Sequence, residues 1–448
     1  MAADRTSTDP HDPYDPYDPQ DPYDSHDPRH PSSASADSGA TLPVPLVSVS
    51  GTPAECGAGY GAAVAETISV NAALYLRRFR DEAGLSTAAV RIAGGAFRAA
   101  TQQAHPRVAA MLDGVADGAG VAVEEIYALN ARTELLYGTT TSGVGTGVAG
   151  AAPPQGPLDD DPTRGAPDGA DGGCTTVGVL GTHSDSGHLL LGQNWDWHPD
   201  QRVAMLLLAT LDERGTAVLT LAEAGMLAKT GLNSAGLGVC VNMLGCDRDG
   251  LGAGRTPGVP YHVLLRAVLE AGNLGQATRV ACRTARNASI NLLLGQAGPR
   301  GGELLDLEVV PGDVGWAHPV DGVLTHANHL ETGLPVRDTL KDLGGSSLFR
   351  AARARRLLAD QSRGRSIGYA DLASVFHDHL GAPLAICRHL DERDPVADQA
   401  ETVYSVLLDL DERRLGLAVG PPCRHDYHWM NLASAVPGGV VAPASITG

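Results

Sequence analysis

Between Gly138 and Gly173 the chain loses any helical or strand period and collapses into Gly, Thr, Pro and Asp, including Pro153-Pro154, Asp159-Asp160-Asp161 and Gly172-Gly173. A stretch this long without periodicity reads as a flexible linker rather than a packed loop. It ends abruptly at Cys174, and the two flanks differ in kind. Upstream, a strand over Val44 to Val49 leads into a helical stretch from Tyr60 to about Glu82, where Val64, Ile68, Ala72, Tyr75 and Phe79 recur at roughly helical spacing. A second helical region runs from Ala96 to Asp117, and a third starts at Val121, with acidic residues in its first turn, and continues to Glu134. Downstream, short β-like runs follow one another: Cys174 to Leu180, His188 to Asn194, Ala204 to Thr210, Ala217 to Ala222 and Gly236 to Leu244. Helices are expected over Pro260 to Ala271, Ser347 to Asp360 and Tyr369 to His379, and late strands over Thr402 to Leu410 and Arg414 to Val419. Sheets flanked by helical layers make a sandwich. The organisation is therefore a mainly helical region at 43–138, a linker at 139–173, and a larger region at 174–448 that shares one core with the first.

Residues 1–42 stand apart. Asp-Pro and Asp-Pro-Tyr units repeat from Thr8 to His30 and bury nothing, so this acidic tail is expected to be disordered, a solubilising appendage before a docking element. The formal charge of −19 argues against nucleic acid and against an anionic membrane surface as partners. No apolar run reaches membrane-spanning length and the N-terminus has no apolar signal core. The 7 cysteines are odd in number, scattered and free of any C-x-x-C pair, which fits a reducing, cytoplasmic setting better than a disulfide framework.

The chemistry starts at Asp171-Gly172-Gly173-Cys174-Thr175-Thr176. A lone cysteine is usually a small core residue. Here the glycines before it permit the backbone distortion needed for a thiol to attack the preceding carbonyl, and leave that carbonyl unshielded. Cleavage of the Gly173–Cys174 bond would leave Cys174 with both a thiol and an α-amine, whose reference pKa of roughly 7.7 to 8.0 suits a general base near neutrality. Gly192-Gln193-Asn194-Trp195-Asp196-Trp197 ends the next β-run, where Asn and Asp either shape a turn or serve the site. Thr325-His326-Ala327-Asn328-His329 offers an amide donor at a strand end. Its His-x-x-His spacing lacks a third ligand, and no metal is expected there or at Cys423-x-His425-x-x-His428.

Together with Lys229-Thr-Gly-Leu-Asn-Ser-Ala-Gly-Leu-Gly-Val-Cys240, Gly258-Val-Pro-Tyr-His-Val-Leu-Leu-Arg266, Ala128-Leu-Asn-Ala-Arg-Thr-Glu134, Ser346-Ser-Leu-Phe-Arg350, Ile386-Cys-Arg-His389 and Thr402-Val-Tyr-Ser405, these motifs resemble, in their order, the acyl-coenzyme A:6-aminopenicillanic acid acyltransferase family of N-terminal-nucleophile hydrolases. The resemblance runs from about residue 45 to 430. It implies an α+β fold, a four-layer αββα sandwich, and a proenzyme that cuts itself before the cysteine into α and β subunits that stay together as a heterodimer. By the same resemblance Cys174 is the nucleophile, Thr176 assists self-cleavage, Asp196 orients the nucleophile's amine, and Asn328 sits in the oxyanion hole. Arg132 and Glu134 either pack against the site from the first subunit or form an internal ion pair, the latter favoured. Asn194 is a supporting residue, and Arg350 and Arg388 either bind a substrate carboxylate or serve as structural hydrogen-bond donors. The long linker and the Asp-Pro-Tyr tail depart from the family pattern without touching the chemistry.

The resulting expectation is a cysteine amidohydrolase for small N-acyl amides or amino-acid conjugates, working through a thioester and needing no cofactor. Acyl-CoA-dependent N-acyl transfer, with acyl-CoA as donor substrate, is the alternative. A papain-like pairing with His329 or His389 lacks its sequence context. A noncatalytic binding protein on the same fold is the rival from another class.

Overall fold

The computed structural model describes residues 42–138, 173–251, 256–341, 345–362, 364–396 and 399–438. The Asp-Pro-Tyr tail and the linker before Gly173 lie outside the described residues. Strand β1 (Leu46–Gly51) leads into helices α1 (Pro53–Ala63), α2 (Ala65–Asp81), α3 (Thr87–Ala104), α4 (Pro106–Ala119), α5 (Val123–Asn130) and α6 (Arg132–Tyr137). A capping box between Thr52 and Glu55 starts α1. Three stretches expected as single helices are each split, the third at Ala131 between α5 and α6. The first breaks at Val64, which leaves the helical region with φ −134° and ψ 35°. The second breaks at His105, where Pro106 lacks an N–H and crowds the residue before it out of the α conformation. Helices α1 and α4 touch backbone to backbone through glycines: a Cβ on Gly57 would lie 2.0 Å from the Met111 carbonyl oxygen, and one on Gly114 would lie 2.4 Å from that of Ala54.

After the linker come β2 (Cys174–Val179), β3 (Leu190–Trp197), β4 (Met205–Asp212), β5 (Ala217–Glu223), β6 (Gly231–Asn233), β7 (Leu237–Met243), α7 (Tyr261–Leu269) and α8 (Leu274–Arg283). Then follow β8 (Ile290–Gln296), β9 (Glu303–Val310), β10 (Asp313–Ala317), β11 (Val323–His326), α9 (Ser347–Ser362) and α10 (Tyr369–Phe376). The last elements are β12 (Glu401–Asp409), β13 (Arg414–Val419), β14 (His428–Asn431) and α11 (Leu432–Ala435).

The strands form two sheets, ordered β1-β4-β5-β6-β7-β8-β9-β10 and β11-β2-β3-β12-β13-β14. Strand β1, from the helical half, pairs parallel with β4, so the two halves share one sheet. Alternation along the strands then builds the layers. Leu191 and Trp195 of β3, Leu207 of β4, Leu219 of β5 and Val406 of β12 fill the space between the sheets. The opposite face of the smaller sheet, with Val177, Val179 and Leu407, is covered by Leu358 of α9 and Phe376 of α10. The outer face of the larger sheet meets α1–α6 through Leu206 and Leu208, and α7 and α8 through Val239 and Leu292. The result is an α+β sandwich of four layers, helix–sheet–sheet–helix.

Candidate active site

Cys174 opens β2, in the middle of the smaller sheet, opposite Trp195 of β3. Period two turns Cys174 and Thr176 into the space between the sheets and Thr175 toward α9. Cys174 is buried, 4 % exposed. It lines a cavity of about 20 Å³ with Arg132, Trp195, Trp197, Lys229 and Tyr261, which is room for about one water.

Both sides of the Gly173–Cys174 peptide bond are held. The Asp196 backbone N–H donates to the Gly173 carbonyl oxygen at 2.7 Å. The Cys174 N–H donates to Asn328 Oδ1 at 2.7 Å. That Asn328 oxygen also accepts from Arg350 Nη2 at 2.8 Å, while Nδ2 donates to the Met243 carbonyl at 2.9 Å. Two donors at one end and a carbonyl at the other fix which way the amide points. Its acceptor end therefore faces the nucleophile's nitrogen, an orientation different from the oxyanion-hole donor expected from the resemblance. The group that donates to the Gly173 carbonyl oxygen is instead the N–H of Asp196.

Asp196 reaches the site by its side chain too. A Cβ on Gly173 would come within 2.5 Å of Asp196 Oδ2 and 3.3 Å of Arg350 Nη2, so the residue before the cysteine has no room for a side chain. Thr402 Oγ1 donates to Asp196 Oδ1 at 2.7 Å, and the Arg388 N–H donates to Thr402 Oγ1 at 2.9 Å. A register shift between Thr402 and Tyr404 makes this geometry: the extra residue on β12 lets Thr402 face Asp196 while Tyr404 still faces Trp195.

Arg350 forks onto the strand from α9. Its Nη1 donates to the Cys174 carbonyl at 2.6 Å and to Thr175 Oγ1 at 2.8 Å, and Nε donates to Ser346 Oγ at 3.1 Å. The Cys174 carbonyl also accepts from Asn242 Nδ2 at 3.0 Å, and Thr176 Oγ1 donates to Asn242 Oδ1 at 2.8 Å. Asn194 points to the helical layer, where Nδ2 donates to the carbonyls of Phe376 and Ile386, each at 2.9 Å. Its role is to anchor the end of α10 to β3.

Arg132 and Glu134 do not pair with each other as expected. Arg132 Nε lies 3.6 Å from Glu223 Oε1, with the guanidinium 4.5 Å from the Trp197 ring centre, and it lines the Cys174 cavity. Glu134 Oε1 accepts the Tyr261 N–H at 2.6 Å, and burial pushes the carboxyl up to about 8. The histidines weighed for a papain-like site face elsewhere: His329 Nδ1 lies 2.9 Å from Ser347 Oγ, and His389 Nε2 lies 3.3 Å from Cys423 Sγ.

Residue types alone did not single out Lys229, Glu223, Asn242 and Thr402. Lys229 carried the strongest available signal, since only Lys229 and Lys341 are lysines in the whole chain. Its ammonium is 2.6 Å from Glu223 Oε1, approaching off the ideal hydrogen-bond direction, and 3.1 Å from the Trp195 ring centre. Burial brings Lys229 down to about 7 against the opposing pull of Glu223. Burial alone would raise Glu223, but Lys229 and Arg132 hold it down at about 2. Burial, followed by the Asp196 carboxylate, pushes the Cys174 thiol up to about 11, opposed by Arg350 and Lys229. The sulfur thus rests as a thiol beside an amine poised near neutrality.

A four-layer αββα sandwich with a residue of nucleophilic type opening an inner strand, directly after a glycine, defines the N-terminal-nucleophile hydrolase class of fold. Within that class the chain belongs to the acyl-coenzyme A:6-aminopenicillanic acid acyl-transferase family, whose model matches residues 182–424. The match takes in Asn194, Asp196, Asn328, Arg350 and Arg388 and begins after Cys174. The acyl-coenzyme A:6-aminopenicillanic-acid-acyltransferase 40 kDa form of Emericella nidulans is 27% identical over 329 residues, 72% of this chain and 78% of that protein. Among solved structures, penicillin V acylase from Agrobacterium tumefaciens aligns with TM-score 0.38 and 14% identity over 58% of this chain and 86% of that one. The C2A mutant of conjugated bile acid hydrolase from Clostridium perfringens aligns with TM-score 0.38 and 13% identity, over 55% of this chain and 89% of that one. Among the described residues no helix is long and apolar enough to cross a membrane.

Proposed function

We propose that the chain is a proenzyme that cuts itself at Gly173–Cys174 and then acts as a cysteine amidohydrolase on small N-acyl amides or amino-acid conjugates. The observation that carries this reading is the double grip on one peptide bond, the Gly173 oxygen by the Asp196 N–H and the Cys174 nitrogen by Asn328, beside a buried thiol.

In the precursor the Cys174 sulfur adds to the Gly173 carbonyl carbon, giving its proton to neutral Lys229. The oxygen that becomes an anion already accepts from Asp196 N–H, the kind of preorganised donor worth on the order of 10²-fold or more in rate. Lys229 returns the proton to the Cys174 nitrogen as the C–N bond breaks, leaving a thioester between Gly173 and the sulfur. Water then adds to the thioester, giving a Gly173 carboxylate and a free Cys174 thiol. In the cut enzyme the new α-amine serves as base, with Asn328 Oδ1 accepting from it so that its lone pair turns toward the sulfur. The sulfur takes an acyl group from an amide, and the acyl thioester passes that group to water.

The two fragments would remain together as an α/β heterodimer, since β1 pairs with β4 and Arg132 faces Glu223. Seven free thiols suit a reducing, cytoplasmic setting. Acyl-CoA-dependent transfer to an amine is the second reading, favoured by the family's own name and by that of the Emericella relative. Both readings share the acyl-thioester. Acid-quenched turnover of an N-acyl amino acid should add one acyl mass to the fragment beginning at Cys174. Turnover without such an adduct, and retained by Cys174→Ala, would remove both readings.

A further inference from the structure

Away from the nucleophile, His379, Cys387, His389 and Cys423 bring two imidazole nitrogens and two sulfurs within 4.8 Å of one another. We propose that these four side chains form a structural zinc site that staples the segment after α10 to the turn after β13.

Three of the ligand separations lie close to the edges of a tetrahedral Cys2His2 set. With zinc–sulfur bonds of about 2.3 Å and zinc–nitrogen bonds of about 2.0 to 2.1 Å, the edges of such a tetrahedron are roughly 3.3 to 3.8 Å. His389 Nε2 lies 3.1 Å from His379 Nε2, 3.3 Å from Cys423 Sγ and 3.6 Å from Cys387 Sγ. One ring nitrogen carries at most one proton and can donate along only one of those three directions. A cation at the centre accounts for all three approaches at once. Two thiolates and two imidazoles are a donor set for zinc rather than for a hard cation. Four protein ligands leave no open position, which assigns the site to structure and not to catalysis.

The chain path agrees. The loop after α10 folds back on itself, with the Cys387 N–H donating to the Asp378 carbonyl at 3.0 Å and the His389 N–H to that of Pro383 at 3.3 Å. Cys387 and His389 are both buried. Cys423 arrives from the short turn at Pro422–Arg424. The group thus joins Cys423 to His379, Cys387 and His389 rather than to the His425 and His428 that adjoin it in sequence, which is why spacing alone hid the set. Between the two buried ligands sits Arg388, whose N–H holds Thr402 Oγ1 and through it Asp196. The zinc staple therefore also fixes the carboxylate beside Gly173.

The full chain, purified without chelator, should contain about one zinc per molecule by elemental analysis. Cys174→Ala and Cys282→Ser, which leave the cluster intact, should match it, so that this site stands or falls apart from the proposed catalysis. Cys387→Ser and Cys423→Ser should lose at least nine-tenths of the metal, and Cys423→His should retain it. Because the serine variants risk misfolding, wild type refilled with cobalt(II) supplies a second readout, a strong thiolate-to-cobalt absorption of a tetrahedral site. Wild type that holds neither zinc nor cobalt, a Cys387–Cys423 disulfide in an unreduced digest, or full zinc in folded Cys423→Ser would each overturn the proposal.

Discussion

Lys229→Met separates folding from chemistry at the site. In the wild type, Glu223 is fully buried and contacts both Lys229 and Arg132. Removing Lys229 leaves one carboxylate facing one guanidinium, with Tyr75 Oη still donating to Glu223 Oε2 at 2.6 Å. The buried charges stay balanced, and the loss is one charge-assisted contact, about 1.5 to 3 kcal/mol. By contrast Glu223→Gln strands Arg132 in the interior and should cost about 3 to 5 kcal/mol, the range for a broken buried pair. If Lys229 is the base of self-cleavage, its replacement slows the cut by about 10² to 10⁴ while the chain stays folded. The pH dependence has a definite sign. A base works deprotonated, so wild-type cleavage should accelerate as pH rises through about 7, the value to which burial brings Lys229. The assay is the time course of precursor loss on denaturing gels from pH 5.5 to 9, alongside thermal melts of both variants. A folded Lys229→Met precursor that cleaves at the wild-type rate with the wild-type pH profile would refute the reasoning.

Gly173→Ala places a Cβ 2.5 Å from Asp196 Oδ2; the precursor should fold yet accumulate uncut, at least tenfold slower by intact mass, and wild-type cleavage kinetics would show that the close approach is unimportant. Glu134 carries a folded-state value near 8, above its unfolded one, because burial penalises its charge. It therefore binds more protons folded than unfolded, so its contribution to stability falls as pH rises from about 4.5 to 8. Glu134→Gln, which keeps the acceptor for the Tyr261 N–H, should flatten that slope in denaturant midpoints, and an unchanged slope would show that Glu134 ionises normally.

The parts of the fold legible in the sequence are those with a local cause. Strand β13 falls on Arg414–Val419, the expected bounds, because an alternating run is closed by Gly420 at φ 98°. The abrupt composition change at Gly173 marks Cys174 without any knowledge of the sheet. Strand β6, three residues long, holds too little chain for a pattern to register. The break at Val64 has no proline to announce it. What the sequence cannot show is convergence between distant strands. Lys229 lies just before β6 of the larger sheet, Trp195 on β3 of the smaller sheet and Arg132 on α6, and only the packing of both sheets with the helical half brings them to one cavity. The Cys2His2 group is hidden for the same reason, its ligands coming from two segments on either side of a hairpin. The amide of Asn328 is a third case: its identity was readable, whereas the end it turns to Cys174 depends on Arg350 and Met243.

The central claim is that one residue supplies both the attacking sulfur and, after a backbone cut, the amine beside it. N-terminal sequencing of the large fragment, with intact masses of wild type and Cys174→Ala, tests it most directly. The account predicts a wild-type fragment that begins Cys174-Thr175-Thr176 and a Cys174→Ala chain that remains whole. A fragment that begins elsewhere, or an alanine variant cut at the same bond, would contradict it.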